Sequence, residues 1–497
     1  MAKLYKILFN KANLCIRLFL LIYFISLNLP AQAQKIDTTL QLQSSYNHFL
    51  NFELDSCSKS LEKTTHDPFA FYLRALISSA KVFVKDDLEY YKSNKSTETD
   101  LLDSLEKSAF SERYNTFLKS EVKLQWAILK LKNGDEFSAF WSLKQAYTLA
   151  EENVKKYPDF IPSYKTLGLL HVLYGVFPDK YNWILSLFSI DGDIEKGLEE
   201  LDKVRKSDSF LSLEASITAS MAYAYLLNQP EQGAIIMNDL HKMNKTLLVD
   251  YAYTLILMKN AQSNIAINII DDAYHYYQQP FNIPQLYYVQ AEILLQKGQC
   301  TDAIKFYEQF LSLNRGKNLI KDTYFKIGLC YLILNMEAKA QWYFRKSEEN
   351  GWAKNEADKN AILVLESGNK PNADLLQLRF ATDGGFYENA LDIYRQIDTA
   401  NLNNHDHCEY LYRSARLFHN TGHIQKASEY YQKTLDAQHV KTWYYAPNSA
   451  LHLGLIFISK GEDEIAKKTL KLIDHYNGYP YQNSIRQKAK SALRQLN

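Results

Sequence analysis

The stretch from Asp322 to Asn350, DTYFKIGLCYLILNMEAKAQWYFRKSEEN, decides the fold of this chain. Its apolar residues recur every three to four positions on either side of a short polar break, so it reads as two amphipathic helices joined by a turn. Gly328 in the first helix and Ala340 in the second are small where two antiparallel helices must approach. Tyr324, Ile327, Tyr331 and Phe344 supply the bulk that fills the gap to the next pair.

The same arrangement recurs outward from this copy. Upstream it is carried by Tyr287, Ala291, Leu294, Gly298, Ala303 and Tyr307. Downstream it is carried by Ala415, Phe418, Gly422, Ala427 and Tyr431, then by Leu453, Gly454, Phe457, Gly461 and Ala466, with a half-copy at Gly385, Ala390 and Tyr394. Further upstream, Ala127, Gly134, Ala139 and Ala146 mark another copy, and Tyr46 to Lys63 with Pro68 to Val84 form a degenerate opening pair. Spacing strengthens the case: Gly197 to Ala234, Ala266 to Ala303 to Ala340, and Ala390 to Ala427 are all steps of 37 residues. This pattern resembles the tetratricopeptide repeat, whose period is about 34 residues. The resemblance implies an all-α fold of helix-turn-helix repeats stacked into a right-handed α-solenoid.

A chain of 497 residues with 46% hydrophobic residues exceeds what a single globular core normally reaches, which suits a repeat array. Residues 1–33 read as a secretory signal peptide: Lys3, Lys6, Lys11 and Arg17 precede the apolar run Leu18 to Leu29 and the small-x-small site Ala31-Gln32-Ala33. Export is therefore expected, to the periplasm, the cell envelope or the medium, with the mature chain starting at Gln34. Removing four basic residues and no acidic one takes the formal charge from +1 to −3, which leaves no electrostatic footprint for nucleic acid. No later segment is apolar for long enough to span a membrane. Repeats are expected over 34–350 and 375–497, with an irregular connector at 351–374 and a capping helix, Gln482 to Leu496, at the end.

An insertion near 174–191 interrupts the period, since Ala139 and Gly197 stand 58 residues apart. The segment 161–204, with its Tyr174-Gly175-x-x-Pro178 turn and the run Gly192-Asp193-x-x-x-Gly197-Leu198, resembles the inclusion-body clearance family of tetratricopeptide proteins and related exported Bacteroidetes-type proteins. That resemblance implies protein association and little mechanism. Its glycines also read simply as a turn and a tight helix crossing.

No phosphate loop, paired-histidine zinc helix or nucleophile elbow is present, so no catalytic residue, metal or cofactor is expected. The densest metal-capable run is His405-Asp406-His407-Cys408 with His419 and His423 downstream; Asn403 and Asn404 before it favour a helix start, with Asp406 a candidate cap. An enzyme would need a pocket built at the insertion from Asp179, Lys180, Asp191 and Asp193, which read instead as solvated turn charges. Cys300 and Cys330 fall at places that approach each other in stacked repeats, as free thiols or as a bridge. Family analogy puts ligand contacts at places two, five, nine, twelve and thirteen of each first helix. In the best copies these are Gln285, Tyr288, Glu292 and Gln296, then Phe325, Leu329 and Ile333, then Glu409, Tyr412, Arg416, His419 and Asn420. Partner contacts are expected from Tyr288, Glu292, Phe325, Leu329, Tyr412, Arg416, His419 and Asn420. The expected function is a non-enzymatic protein-interaction scaffold of the cell envelope that binds a protein or peptide along its concave face. The alternative is a glycan- or nutrient-binding uptake component, although the lipid-anchor Cys and long Trp/Gly/Asn-rich loops of that class are missing.

Overall fold

A computed structural model describes residues 40–62, 64, 66–177, 190–276, 283–368 and 370–496. The segment 1–33 and residues 178–189 of the insertion, with Asp179 and Lys180, lie outside them. Among the described residues every regular element is helical.

The Asp322–Asn350 stretch forms the helices Ile320–Ile333 and Glu337–Glu349. Asn335 turns the chain between them at φ 57°, and Met336 N–H donates to the Tyr331 carbonyl at 2.8 Å to close the first helix. At the equivalent turns of other copies, Gly298 and Gly422 take the left-handed conformation without the penalty a Cβ carries. Gly328 stands where a Cβ would come 2.5 Å from the Phe344 ring, and Ala340 is fully buried. The ring therefore occupies the volume that the absent side chain leaves.

The connector holds more order than its composition suggests. Within 351–374 the helix Glu356–Glu366 forms, and the Asn355 side chain caps it by accepting from Asp358 N–H at 2.8 Å. By internal contacts the chain divides into two compact units that interleave along the sequence. One comprises Met1–Val289, Glu308–Ile320 and Asn350–Asp358; the other comprises Gln290–Tyr307, Lys321–Glu349 and Lys359–Asn497.

In the first unit the glycines flanking the insertion make a backbone-on-backbone crossing. A Cβ on Gly168 would lie 2.7 Å from the Gly197 carbonyl oxygen, and one on Gly197 would lie 2.5 Å from that of Gly168. Gly192 abuts the Tyr174 carbonyl in the same way. Helices Ser163–Gly175 and Ile194–Arg205 can meet so closely only because both positions lack side chains.

That crossing sits beside a polar core that no local sequence pattern announces. Lys165, fully buried, donates to Glu121 at 2.9 Å and to Glu214 at 2.6 Å, and Tyr72 donates its hydroxyl hydrogen to Glu214 at 2.5 Å. Burial is the main cause that pushes Glu214 up to about 7 despite Lys165, and its second oxygen meets no donor among the described residues. On the same helix as Lys165, the buried His171 meets Glu200 through its Nδ1 at 2.6 Å. The unit also joins segments far apart in sequence. Asn51 accepts from Leu247 N–H across 196 residues, and Asn318 donates to Asp86 across 232. Asp86 holds φ 46° there and pairs with Lys132 at 2.9 Å.

In the second unit Cys300 and Cys330 are buried free thiols in hydrogen-bond contact. The same unit holds the part-buried pair of Glu292 with Lys326.

Two outcomes follow. Gly197→Ala forces a carbonyl and a methyl into one volume and should cost about 1–3 kcal/mol in urea unfolding followed by circular dichroism, whereas Gly461→Ala, with open space around it, should cost only its backbone strain of about 1 kcal/mol. For Glu214 the folded pKa exceeds the unfolded value of 4.5, so the native state holds an extra proton between pH 4.5 and about 7. Its contribution therefore falls as pH rises through that window. Glu214→Gln lacks this slope, so the wild-type minus variant difference in melting temperature should fall as pH rises from 4.5 to about 7; a pH-independent difference would count against it.

Candidate functional site

In the second unit the first helices of successive pairs, Ala373–Gly384, Asn404–Asn420, Tyr445–Ser459 and Gln482–Gln495, pack directly on one another. The second helices, Tyr387–Gln396, Ile424–Ala437 and Asp463–Lys471, wedge between them from one side and make few contacts among themselves. The first helices thus form one continuous packed layer, and the second helices contact mainly that layer.

Caps fix the register of these helices. The Asn372 side chain accepts from Asp374 and Leu375 N–H, and Asn403 accepts from Asp406 N–H at 3.0 Å. The cap of the second helix is thus Asn403, and Asp406, expected in that role, stands inside the first turn. One stripe of Asn404–Asn420 is core: Cys408, Ala415 and Phe418 are buried with Tyr431 and Leu453. The opposite stripe carries Glu409, Arg413, Arg416 and Asn420, spaced at three to four residues so that all share a face.

Arg413 binds Glu409 through Nε at 3.0 Å and Nη2 at 2.9 Å, and Nη2 also donates to the Tyr444 hydroxyl at 2.5 Å. Burial alone would raise the Glu409 carboxyl, but Arg413 and Arg379 outweigh it and hold it below the usual range. Arg416 Nη1 lies 3.0 Å from His452 Nε2. A guanidinium can only donate, so the imidazole accepts there and is neutral. Burial first, then the Arg416 charge, holds His452 well below its usual value, and the same two causes lower His419. His452 stacks on Tyr431 with ring centres 5.5 Å apart, and His419 Nδ1 meets the Tyr431 hydroxyl at 3.1 Å. Tyr412, Tyr444, Tyr445 and Tyr481 form a chain of ring contacts at 4.6–5.7 Å. Arg379 stands on the preceding first helix, 3.6 Å from Asp383, with both side chains more than a third exposed.

The residues expected to touch a partner are divided by the structure. Arg416, His419 and Asn420 are partly exposed on this face, with Asn420 hydrogen-bonded to Tyr387. Tyr412 is 4% exposed and accepts from Asn448 at 2.6 Å, so it supports the face from below. Phe325 and Leu329 are 8% and 2% exposed, packed as core, and present almost no surface. Tyr288 packs edge-on against Phe310, and Glu292 is held by Lys326 and Tyr307. Of the metal-capable run, His405 and Asp406 come together with Glu409, while Cys408 is buried in the core. Both nitrogens of His405 already have partners, Asp406 at 3.1 Å and the Tyr445 hydroxyl at 3.2 Å.

Sequence reasoning missed Arg379, Arg413 and His452. The 37-residue step that links Ala390 to Ala427 also links Arg379 to Arg416 and Asp383 to Asn420, so the signal for Arg379 was present. Arg413 and His452 stand at place six of their helices, outside the five places that analogy names.

A family model described as tetratricopeptide repeat matches residues 284–317 and 409–438. The chain carries tetratricopeptide repeats at these two places. The second match begins at Glu409 and so falls on the helix that carries Arg413 and Arg416. None of the curated proteins matches the chain. Among solved structures, a tetratricopeptide repeat protein from Parabacteroides merdae is 14% identical, over 60% of this chain and 99% of that one, with a TM-score of 0.34. A human IFIT1 dimer with PPP-AAAA is 12% identical over 86% and 94%, with a TM-score of 0.36. NprR in complex with its cognate peptide NprX is 12% identical over 82% and 99%, with a TM-score of 0.30. Scores of this size transfer no surface from these neighbours. None of the comparisons reproduces the likeness of 161–204 to the inclusion-body clearance family. No helix among the described residues is long and apolar enough to cross a membrane. A tetratricopeptide-repeat array is in general an interaction scaffold, and its fold typically carries no catalysis.

The ion pair beneath this face is testable. Glu409→Ala leaves the 7%-exposed Arg413 guanidinium without its carboxylate and should destabilise the protein by about 3–5 kcal/mol in urea unfolding. Glu409→Gln, which keeps an acceptor, should cost less.

Proposed function

We propose that the chain is a non-enzymatic scaffold of the cell envelope that holds a protein segment against the first helices of its C-terminal repeats. One observation carries this reading: the row Arg379, Arg416 and Asn420, with Tyr387 beside it, is partly exposed, while the core stripe of the same helices is fully closed. Arg and Tyr are enriched among the side chains that anchor protein partners, Tyr because it buries large area at small conformational cost and Arg because its planar fork binds polar groups at two points. The envelope assignment rests on the basic, apolar and small-residue order of residues 1–33.

The purified full chain, cross-linked in an envelope extract of the producing cell, should retain a protein that the Arg379→Gln/Arg416→Gln double variant loses. Equal retention by the double variant, or no retained protein, would refute the binding reading. Fractionation with N-terminal sequencing tests the location separately: a mature chain beginning at Gln34 outside the cytoplasm is expected, and a cytoplasmic chain that keeps Met1 would overturn it.

A further inference from the structure

We infer that the Arg379–Arg416 row is a binding site for an acidic peptide segment, whose Asp or Glu side-chain carboxylates are gripped by the two guanidinium groups. This deepens the reading above and rests on it.

The local charge is unbalanced. Three guanidinium groups, Arg379, Arg413 and Arg416, act on this face beside two carboxylates, Asp383 and Glu409. Glu409 is engaged by Arg413 through two N–H groups on one oxygen. Arg379 reaches Asp383 only at 3.6 Å, in an exposed pair that solvent screens. Arg416 has no carboxylate within ion-pair distance among the described residues, and its contact at 3.0 Å is a neutral imidazole. His452 orients the guanidinium without cancelling its charge.

A guanidinium is a planar fork of N–H donors that matches a carboxylate in two-point contact. Arg416 is already partly withdrawn from water on a face backed by Tyr431 and Tyr412, so an arriving carboxylate meets a charge that is weakly screened and already aimed. The second guanidinium stands at the same helical place one repeat earlier, 37 residues upstream. Packed helices lie about 8–10 Å apart. An extended peptide advances about 3.3 Å per residue, so acidic residues two to three positions apart can reach both. A polynucleotide is the weaker fit, because phosphate backbones demand a longer basic stripe than two repeats provide, and 57 Lys and Arg are almost balanced by 56 Asp and Glu in the whole chain.

The probe is a rhodamine-labelled peptide with Glu at every third position, read by fluorescence anisotropy with the full-length protein. Binding should weaken with added salt, and it should fall about tenfold or more in Arg416→Gln and in Arg379→Gln, with circular dichroism and melting checked for each. Arg379 is exposed enough that its replacement leaves folding intact, which keeps the test decisive if Arg416→Gln is unstable. Amidating the peptide C-terminus should change nothing, since side-chain carboxylates are the ligand; a loss on amidation would assign the site to a chain terminus and overturn the inference. So would equal binding of the Gln-for-Glu peptide, wild-type affinity in both variants, no binding at all, or preference for a single-stranded RNA of equal charge. A partner captured from the envelope extract with these results negative would leave the scaffold reading standing and remove only the acidic preference.

Discussion

Where helix Ser163–Gly175 crosses Ile194–Arg205, two backbones touch because neither Gly168 nor Gly197 has a side chain to keep them apart. The rest of the N-terminal unit is organised by that contact. Lys165 lies one turn before Gly168 and His171 one turn after it, so the crossing sets the depth at which both polar groups are buried. Glu200, one turn beyond Gly197, is brought to His171 by the same approach. A bulkier residue at either glycine would lift the helix and pull charged groups out of a geometry that alone makes their burial tolerable.

The C-terminal repeats handle charge differently. Glu409 and Arg413 satisfy each other and stiffen the helix from which they project. Arg416, one turn on, is positioned by an uncharged imidazole and left electrically open. The same helix thus carries, one turn apart, a charge that is neutralised and a charge that is oriented but not cancelled.

What the sequence disclosed and what it hid follow one physical division. The small residues at Gly328, Ala340, Ala390 and Ala427 were legible because helix contact recurs with the period of the chain, and a fixed period can be read along one dimension. The Lys165, Glu121, Glu214 and Tyr72 cluster was not, since its members come from four helices spread over 142 residues and share no spacing. For the candidate site, analogy named a side of the helix on which Arg416 and Asn420 are partly exposed. It misjudged the surface of Phe325 and Leu329, because a helical place specifies direction and says nothing of what else packs there. The helix Glu356–Glu366 escaped notice for a related reason: it has no repeat partner to echo, only a cap at Asn355.

An open stack of repeats touches only its neighbours, so it can fray from an end one unit at a time. The N-terminal unit lacks that freedom. The bonds from Leu247 to Asn51 and from Asn318 to Asp86 tie its opening helices to segments some two hundred residues downstream, and Tyr72 adds a third long-range bond, to Glu214. Such closure couples distant helices into one melting transition and makes the order of folding depend on completion of the whole ring of contacts. Trimming the first helices would therefore not shorten this half of the molecule; it would unlatch it.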